Sequence, residues 1–267
     1  MRPLPLALRI DYINRMSSEP LIAVFVDFEN LAIGARGMKS GGFQIRLVLK
    51  RLLEKGRIVY KRAYCDWTNY ADELRDFHGQ GIELIDIPQS KMSGKNSADI
   101  RMVVDAMDLC YSKQHIDVFA LLSGDSDFSP LVSKLKENNK RVIGCGVKSS
   151  TSNLLIANCD EFIYYDDLIR VAAKTPEPTD RSRARPKKQQ AVEQLMEVLQ
   201  SVEQDWDVVW GSALKQAVRR VYPGFNEGYY GYSTFSDLLQ DLATDGLIDI
   251  KYDASRGNYE IRRRRRG

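Results

Sequence analysis

Histidine is all but missing from this chain: His78 and His115 are the only two in 267 residues. The four cysteines, Cys65, Cys110, Cys145 and Cys159, stand far apart and form no CxxC pair. That argues against a zinc ribbon or a disulfide framework and suits a reducing cytoplasm. No apolar run approaches the ~20 residues that a membrane span needs. MRPLPLALRIDYINRM (1–16) has a short apolar patch, but Asp11 and Arg15 follow with no small-residue cleavage site, so no signal peptide is expected. Neither sign of charge dominates, with 39 Lys plus Arg against 36 Asp plus Glu and a formal net charge of +3. The 43% hydrophobic content excludes wholesale disorder. With so little His and no paired Cys, the chemistry is expected to rest on carboxylates.

The positive charge is clustered rather than spread. Arg181, Arg183, Arg185, Lys187 and Lys188 share one stretch, and Arg262 to Arg266 form another. Such runs attract polyanions, or they solubilise a linker and a frayed tail. KTPEPTDRSRARPKKQQ (174–190) holds three prolines and no large apolar residue, which reads as a linker.

Before it, short apolar runs alternate with helical spacing. LIAVFVDF (21–28), RIVYKRAYC (57–65), IELIDI (82–87), HIDVFALLSG (115–124) and KRVIGCGV (140–147) are expected strands. Residues 43–54, TNYADELRDFHGQG (68–81), SADIRMVVDAMDLCY (97–111) and DFSPLVSKLKENN (127–139) are expected helices, with an Asn or Thr cap for the second and Ser97 as cap of the third. Repeated strand–helix units imply a parallel sheet with helices on both faces. Beyond the linker, 191–202, 212–222 and 233–246 read as amphipathic helices. LIDIKYD (247–253) and GNYEIRR (257–263) then read as a hairpin, together a winged-helix layout. Trp206 and Trp210 are expected in its core.

Ligands of an open parallel sheet bind at the carboxyl ends of the strands. Asp27 ends the first strand, Asp125 and Asp127 follow the fourth, and Asp99 opens the helix before it. Crowded carboxylates raise one another's pKa unless a cation neutralises them. Hard oxygen ligands without His or Cys suit Mg²⁺ or Mn²⁺, ions that can activate water for phosphodiester cleavage. Each acid could equally be a helix cap or a solvated loop end. For the set, that alternative weakens, because Asp27 and Asp125 each end an apolar strand.

VDFENL (26–31), KNSADIRMVVDAM (95–107) and LLSGDSDFSPLV (121–132) resemble the motifs of the NYN domain, the LabA-like branch of the PIN-like ribonuclease superfamily. GVKSSTSNLLIANCDEFIYYDDL (146–168) is similar to that family's closing segment, a polar loop followed by a helix and a last strand. Val221-Tyr222-Pro223-Gly224-Phe225 and Phe235-Ser236-Asp237-Leu238-Leu239 resemble the LOTUS (OST-HTH) domain. The resemblance implies an α/β fold, a PIN-like parallel sheet flanked by helices, plus a small winged-helix (α+β) C-terminal domain. The implied division is a nuclease domain over 20–173, a basic linker over 174–188, a winged helix over 189–262 and an Arg-rich tail over 263–267.

The resemblance further implies a Mg²⁺- or Mn²⁺-dependent ribonuclease with Asp27, Asp99, Asp125 and Asp127 as its catalytic and metal-binding acids, supported by Asn30 and Ser123. Asp105 lies about 600° round the helix from Asp99, off that face, and reads as a supporting or a solvated acid. Glu29 is an extra ligand or an exposed acid. Ser93-Gly94-Lys95-Asn96-Ser97 lacks a phosphate loop's upstream glycine, but Lys91 and Lys95 could touch an RNA phosphate. In the winged helix, Lys215, Arg219 and Arg220 could bind phosphates, while Tyr229 and Tyr230, beside Tyr232, could stack on bases unless they are core residues. The partner is then RNA, with no membrane; a homodimer and a protein partner for the winged helix stay open. The rivals are a non-catalytic RNA-binding regulator and a DNA-binding transcription factor.

Overall fold

A computed structural model describes residues 19–36, 38, 42–88, 96–174 and 187–264. Among them, six strands form one parallel sheet in the order β3-β2-β1-β4-β5-β6. These are β1 (Leu21–Asp27), β2 (Arg57–Cys65), β3 (Glu83–Asp86), β4 (Val118–Leu122), β5 (Arg141–Gly146) and β6 (Glu161–Tyr164). The chain runs outward from β1 to β3, then returns to place β4 on the other flank of β1. The strand order therefore reverses between β1 and β4.

The α/β expectation holds, and its cause is visible in β1. Ile22 through Val26 are all apolar and wholly inaccessible to solvent, as a strand buried on both faces must be. Successive side chains point to opposite faces. Ala23 and Phe25 share a core cluster with Phe119 and Leu121 of β4, and the rings of Phe25 and Phe119 stack at 6.0 Å. Helix α4 (Ser97–Ser112) covers that face through Met102, Ala106, Leu109 and Cys110, one helical stripe. Its cap is Asn96 rather than Ser97, with no side-chain capping bond.

Other boundaries differ from expectation for local reasons. Helix α1 (Phe28–Ala35) starts directly at the end of β1, with Asp27 as its cap. Helix α2 spans Ile45–Lys55. Helix α3 (Ala71–Gly79) follows a tight turn, Trp67–Asn69, which Asp66 caps by accepting from the Thr68 N–H at 3.1 Å. Helix α5 spans Ser129–Glu137, and residues Ser126–Phe128 before it form a separate 3₁₀ turn. Helix α6 (Asn153–Asn158) follows β5, and helix α7 (Tyr165–Lys174) follows β6.

The chain divides into two compact units. Of the described residues, those of 19–43 and 56–164 form unit one, and those of 44–55 and 165–264 form unit two. Unit two carries helices α8 (Lys187–Val202), α9 (Gly211–Val221) and α10 (Phe235–Thr244) with a small antiparallel sheet. That sheet contains β7 (Val209–Trp210), β8 (Ile248–Asp253) and β9 (Asn258–Arg263) in the order β7-β9-β8, the expected hairpin plus a two-residue strand. Its core gathers Leu195, Val198, Leu199, Leu214, Val218, Leu238, Leu239, Ile248 and Ile261. Thr234 and Asp237 form a reciprocal capping box at the start of α10. Trp206 corrects its expectation: it is 65% exposed, in the loop between α8 and β7. Helix α2, though it lies between β1 and β2 in sequence, groups with unit two. Arg51 bonds Asp205 at 2.7 Å and the Ser201 hydroxyl at 2.9 Å, and Arg220 donates to the carbonyls of Leu53 and Glu54 at 2.6 and 2.9 Å. Among the described residues, no helix is long and apolar enough to cross a membrane.

Candidate active site

The reversal point between β1 and β4 is where doubly wound sheets open a crevice. Asp27 sits there as the last residue of β1, with 7% exposure. Its Oδ1 accepts from the Asn30 N–H at 3.4 Å, and its Oδ2 accepts from the Ser123 hydroxyl at 2.8 Å. Ser123 is fully buried just past β4, and its Oγ also accepts from the Asp125 N–H at 3.1 Å. The Asn30 side-chain oxygen accepts from the Gly124 N–H at 2.9 Å. These bonds stitch the carboxyl ends of the two strands together. Glycine is required at 124, because a Cβ there would stand 2.6 Å from the Ser150 carbonyl oxygen. Asp125 caps the turn after it by accepting from the Asp127 N–H at 2.9 Å. Asp27 and Asp125 are therefore capping residues as well as acids on one rim.

Electrostatics couples this set. Burial pushes the Asp27 carboxyl up to about 7; nearby Asp99 and Asp125 add to the rise, while the bonds from Ser123 and Asn30 oppose it. Asp99, half-buried in the first turn of α4, is also raised, by burial first and then by Asp125, Asp127 and Glu29. The structure thus brings Asp27, Asp99, Asp125 and Asp127 into one mutually repelling neighbourhood, with Glu29 on its border. Among the described residues, none of the four aspartates forms an ion pair with Lys or Arg. The donor set fits a hard divalent cation in kind, being all carboxylate oxygen. Among the described residues, however, no three such side chains converge closely enough to hold an ion as they stand.

Two expectations need correction or restriction. Asp105 is neither a supporting acid of this site nor solvated. Its Oδ2 accepts from the Tyr64 hydroxyl at 2.9 Å and from Arg62 at 3.0 Å, and its Oδ1 from Arg101 at 3.0 Å, so it ties α4 to β2. Lys91 and Lys95 lie outside the described residues. Sequence reasoning did not anticipate the Asn30–Gly124 bond, although Asn30 stands three residues past the strand end, in reach of a neighbouring loop.

Residues 21–167 match the NYN domain over most of unit one's sequence. The chain belongs to the NYN domain family. NYN domains lie within the PIN-like nuclease superfamily. Residues 186–258 match the OST-HTH/LOTUS domain, a domain type that binds RNA. An uncharacterized protein of Methanocaldococcus jannaschii is 29% identical over 144 residues, covering 53% of this chain and 54% of that protein. The chain thus spans about half the length of that curated relative. A Vibrio parahaemolyticus protein of unknown function, known from its crystal structure, superposes with a TM-score of 0.50 at 29% identity, covering 57% of this chain and 96% of that one.

Within the LOTUS domain, the candidate RNA contacts separate sharply. Lys215 and Arg219 pair with buried Glu227 at 2.9 and 3.1 Å, and Arg220 is held by the α2 carbonyls. Tyr230 is a core residue at 7% exposure, its hydroxyl donating to Gln194 at 3.0 Å, so it is not available for stacking. Tyr232 is buried likewise, bonded to Asp241 at 2.7 Å. Tyr229 is 57% exposed, and the Lys187 ammonium lies 4.3 Å from its ring centre. It is the aromatic of this trio that can meet a base.

Proposed function

We propose that this NYN–LOTUS protein is a metal-dependent ribonuclease that hydrolyses RNA phosphodiester bonds at the rim formed by Asp27, Asp99, Asp125 and Asp127. The observation that carries the reading is Asp27 itself, a buried acid at the strand reversal, raised to about 7, coupled to Asp99 and Asp125. Asp27, Asp99, Asp125 and Asp127 would hold Mg²⁺ or Mn²⁺. When bound, such an ion supplies an activated water and offsets charge on the phosphate oxygens.

The chain's own groups prepare that chemistry. Ser123 anchors one Asp27 oxygen and the Asp125 backbone together, which fixes the spacing of the two acids. Asn30 is oriented by Gly124 through its side-chain oxygen, leaving its amide nitrogen to donate to a phosphate. The Asp27 carboxyl must release its proton before it can ligate a cation, so metal affinity should rise with pH up to about 7. The LOTUS domain holds the RNA, with Tyr229 and Lys187 presenting a stacking face and a cation. The four free thiols suit a reducing cytoplasm.

A second reading, an RNA-binding regulator without cleavage, draws on the failure of three carboxylates to converge among the described residues. End-labelled single-stranded RNA incubated with Mn²⁺, Mg²⁺ or EDTA separates the two. The nuclease reading expects metal-dependent cleavage that Asp125→Asn abolishes while leaving RNA binding within about twofold. RNA bound but uncut with every metal would establish the regulator instead.

A further inference from the structure

Helix α4 buries one apolar stripe against the sheet and carries a second that faces outward. Ile100, Val104 and Tyr111 are each more than half exposed, and Met107 among them is only partly buried. These four stand four, three and four residues apart, the 3.5-residue repeat of a seam that a second helix fills. Single exposed apolar side chains need no explanation, but four in register along one 16-residue helix do. The stripe has two unlike edges. Arg101 and Asp108, seven residues apart, lie along one; Val103 and Cys110, which pack into the core, lie along the other. Arg101 donates to Asp105 through Nε, and its side chain is still more than half exposed. Asp108 is exposed and forms no ion pair among the described residues.

That pattern is complementary to itself in one orientation. With two copies of α4 packed antiparallel about a twofold axis between Asp105 and Ala106, Ile100 meets the second copy's Tyr111, and Val104 meets its Met107. Each contact then occurs twice, as a closed twofold interface requires. Antiparallel packing also sets like edges together, so Arg101 of each copy faces Asp108 of the other. Parallel packing would set the charged edge against Val103 and Cys110 and leave both charges without a complement. We propose that the outward stripe of α4 is a self-association surface, through which two copies of this chain pair about a twofold axis. One helix pair about 24 Å long lies at the small end of specific interfaces, under roughly 1,200 Å² in total, so the pairing is weak and depends on concentration. Asp99 opens the same helix, which sets the two copies of that acid about 20 Å apart along the helix axis.

Sedimentation velocity of the full-length protein over a concentration series tests the surface. The unaltered protein is expected to pass from monomer to dimer with a dissociation constant of about 10–100 µM. Val104→Glu places a charge in the seam and should be monomeric throughout. Asp108→Arg sets two arginines opposite each other and should weaken pairing at least about tenfold, whereas Asp108→Glu keeps the charge and should stay within about threefold. Both positions are exposed, and circular dichroism with the thermal midpoint confirms that each variant folds. A dimer that survives Val104→Glu, or equal association by Asp108→Arg and Asp108→Glu, would overturn the proposal. Monomer at every concentration would overturn it too and leave the stripe to a partner of another kind.

Discussion

Asp27 does three things at once: it ends β1, caps α1 and carries a carboxyl raised to about 7. A folded-state value above the ordinary 3.8 means that the folded protein binds this proton more tightly than the unfolded chain does. In metal-free protein, stability should therefore fall as pH rises from about 4 to about 7, and stay at the lower level above that. Asp27→Asn removes the buried charge and keeps an oxygen for the Asn30 N–H. At pH 8 without metal, the variant is expected to be more stable than the unaltered protein by about 2 kcal/mol, with the difference gone near pH 4. Chemical denaturation across that pH range checks it; a variant less stable at pH 8 would show that the Ser123 bond outweighs the burial of charge. Addition of Mn²⁺ should close the gap and reverse it by stabilising the unaltered protein, by about 2.7 kcal/mol at a hundredfold excess over its dissociation constant.

Elements were legible in proportion to how far their own residues decide them. β1 and β4 are unbroken apolar runs, and α4 shows its buried stripe at helical spacing, so both follow from periodicity. α1 did not, because one residue serves as both strand end and helix cap and leaves no loop between them. Asp105 was visible as an acid in the helix, but its partners Arg62 and Tyr64 lie 43 and 41 residues away, a pairing that only the fold creates. Tyr229 and Tyr230 are neighbours of opposite exposure because a 3₁₀ turn at Gly228–Tyr230 points one inward. Lys215 and Arg219 looked free until Glu227 appeared buried between them. Those two cations hold the Glu227 carboxyl below its ordinary range despite its burial, so its contribution is present at neutral pH and is lost as pH falls below about 4.5. Glu227→Gln should lower stability by about 1 kcal/mol at pH 7, both cations being partly exposed, and by less at pH 3 than at pH 7. The thermal midpoint at the two pH values tests this.

At the scale of the whole molecule, the charge is nearly balanced while its basic residues are bunched. Arg181, Arg183, Arg185, Arg265 and Arg266 lie outside the described residues, yet their charge acts on a polyanion wherever they sit. RNA affinity is expected to drop linearly in log–log terms with salt. Dividing the slope by about −0.7 then counts the phosphates neutralised, and a value of four or more is expected if the clusters take part. A slope near zero would place RNA recognition in stacking and hydrogen bonding alone.

The strand order also dictates a schedule. Asp27 and the Ser123 that secures it are 96 residues apart, and β1 pairs with β4 from Ile22 to Val26. At a synthesis rate of about 5–20 residues per second, the ribosome leaves one side of β1 unpaired for on the order of 5–20 s. Throughout that interval the nascent chain carries an apolar strand with an open edge, the kind of segment that holding chaperones bind and that aggregates when they are scarce. Slowing of translation between codons 28 and 122 should therefore reduce soluble yield more than the same delay placed after codon 167.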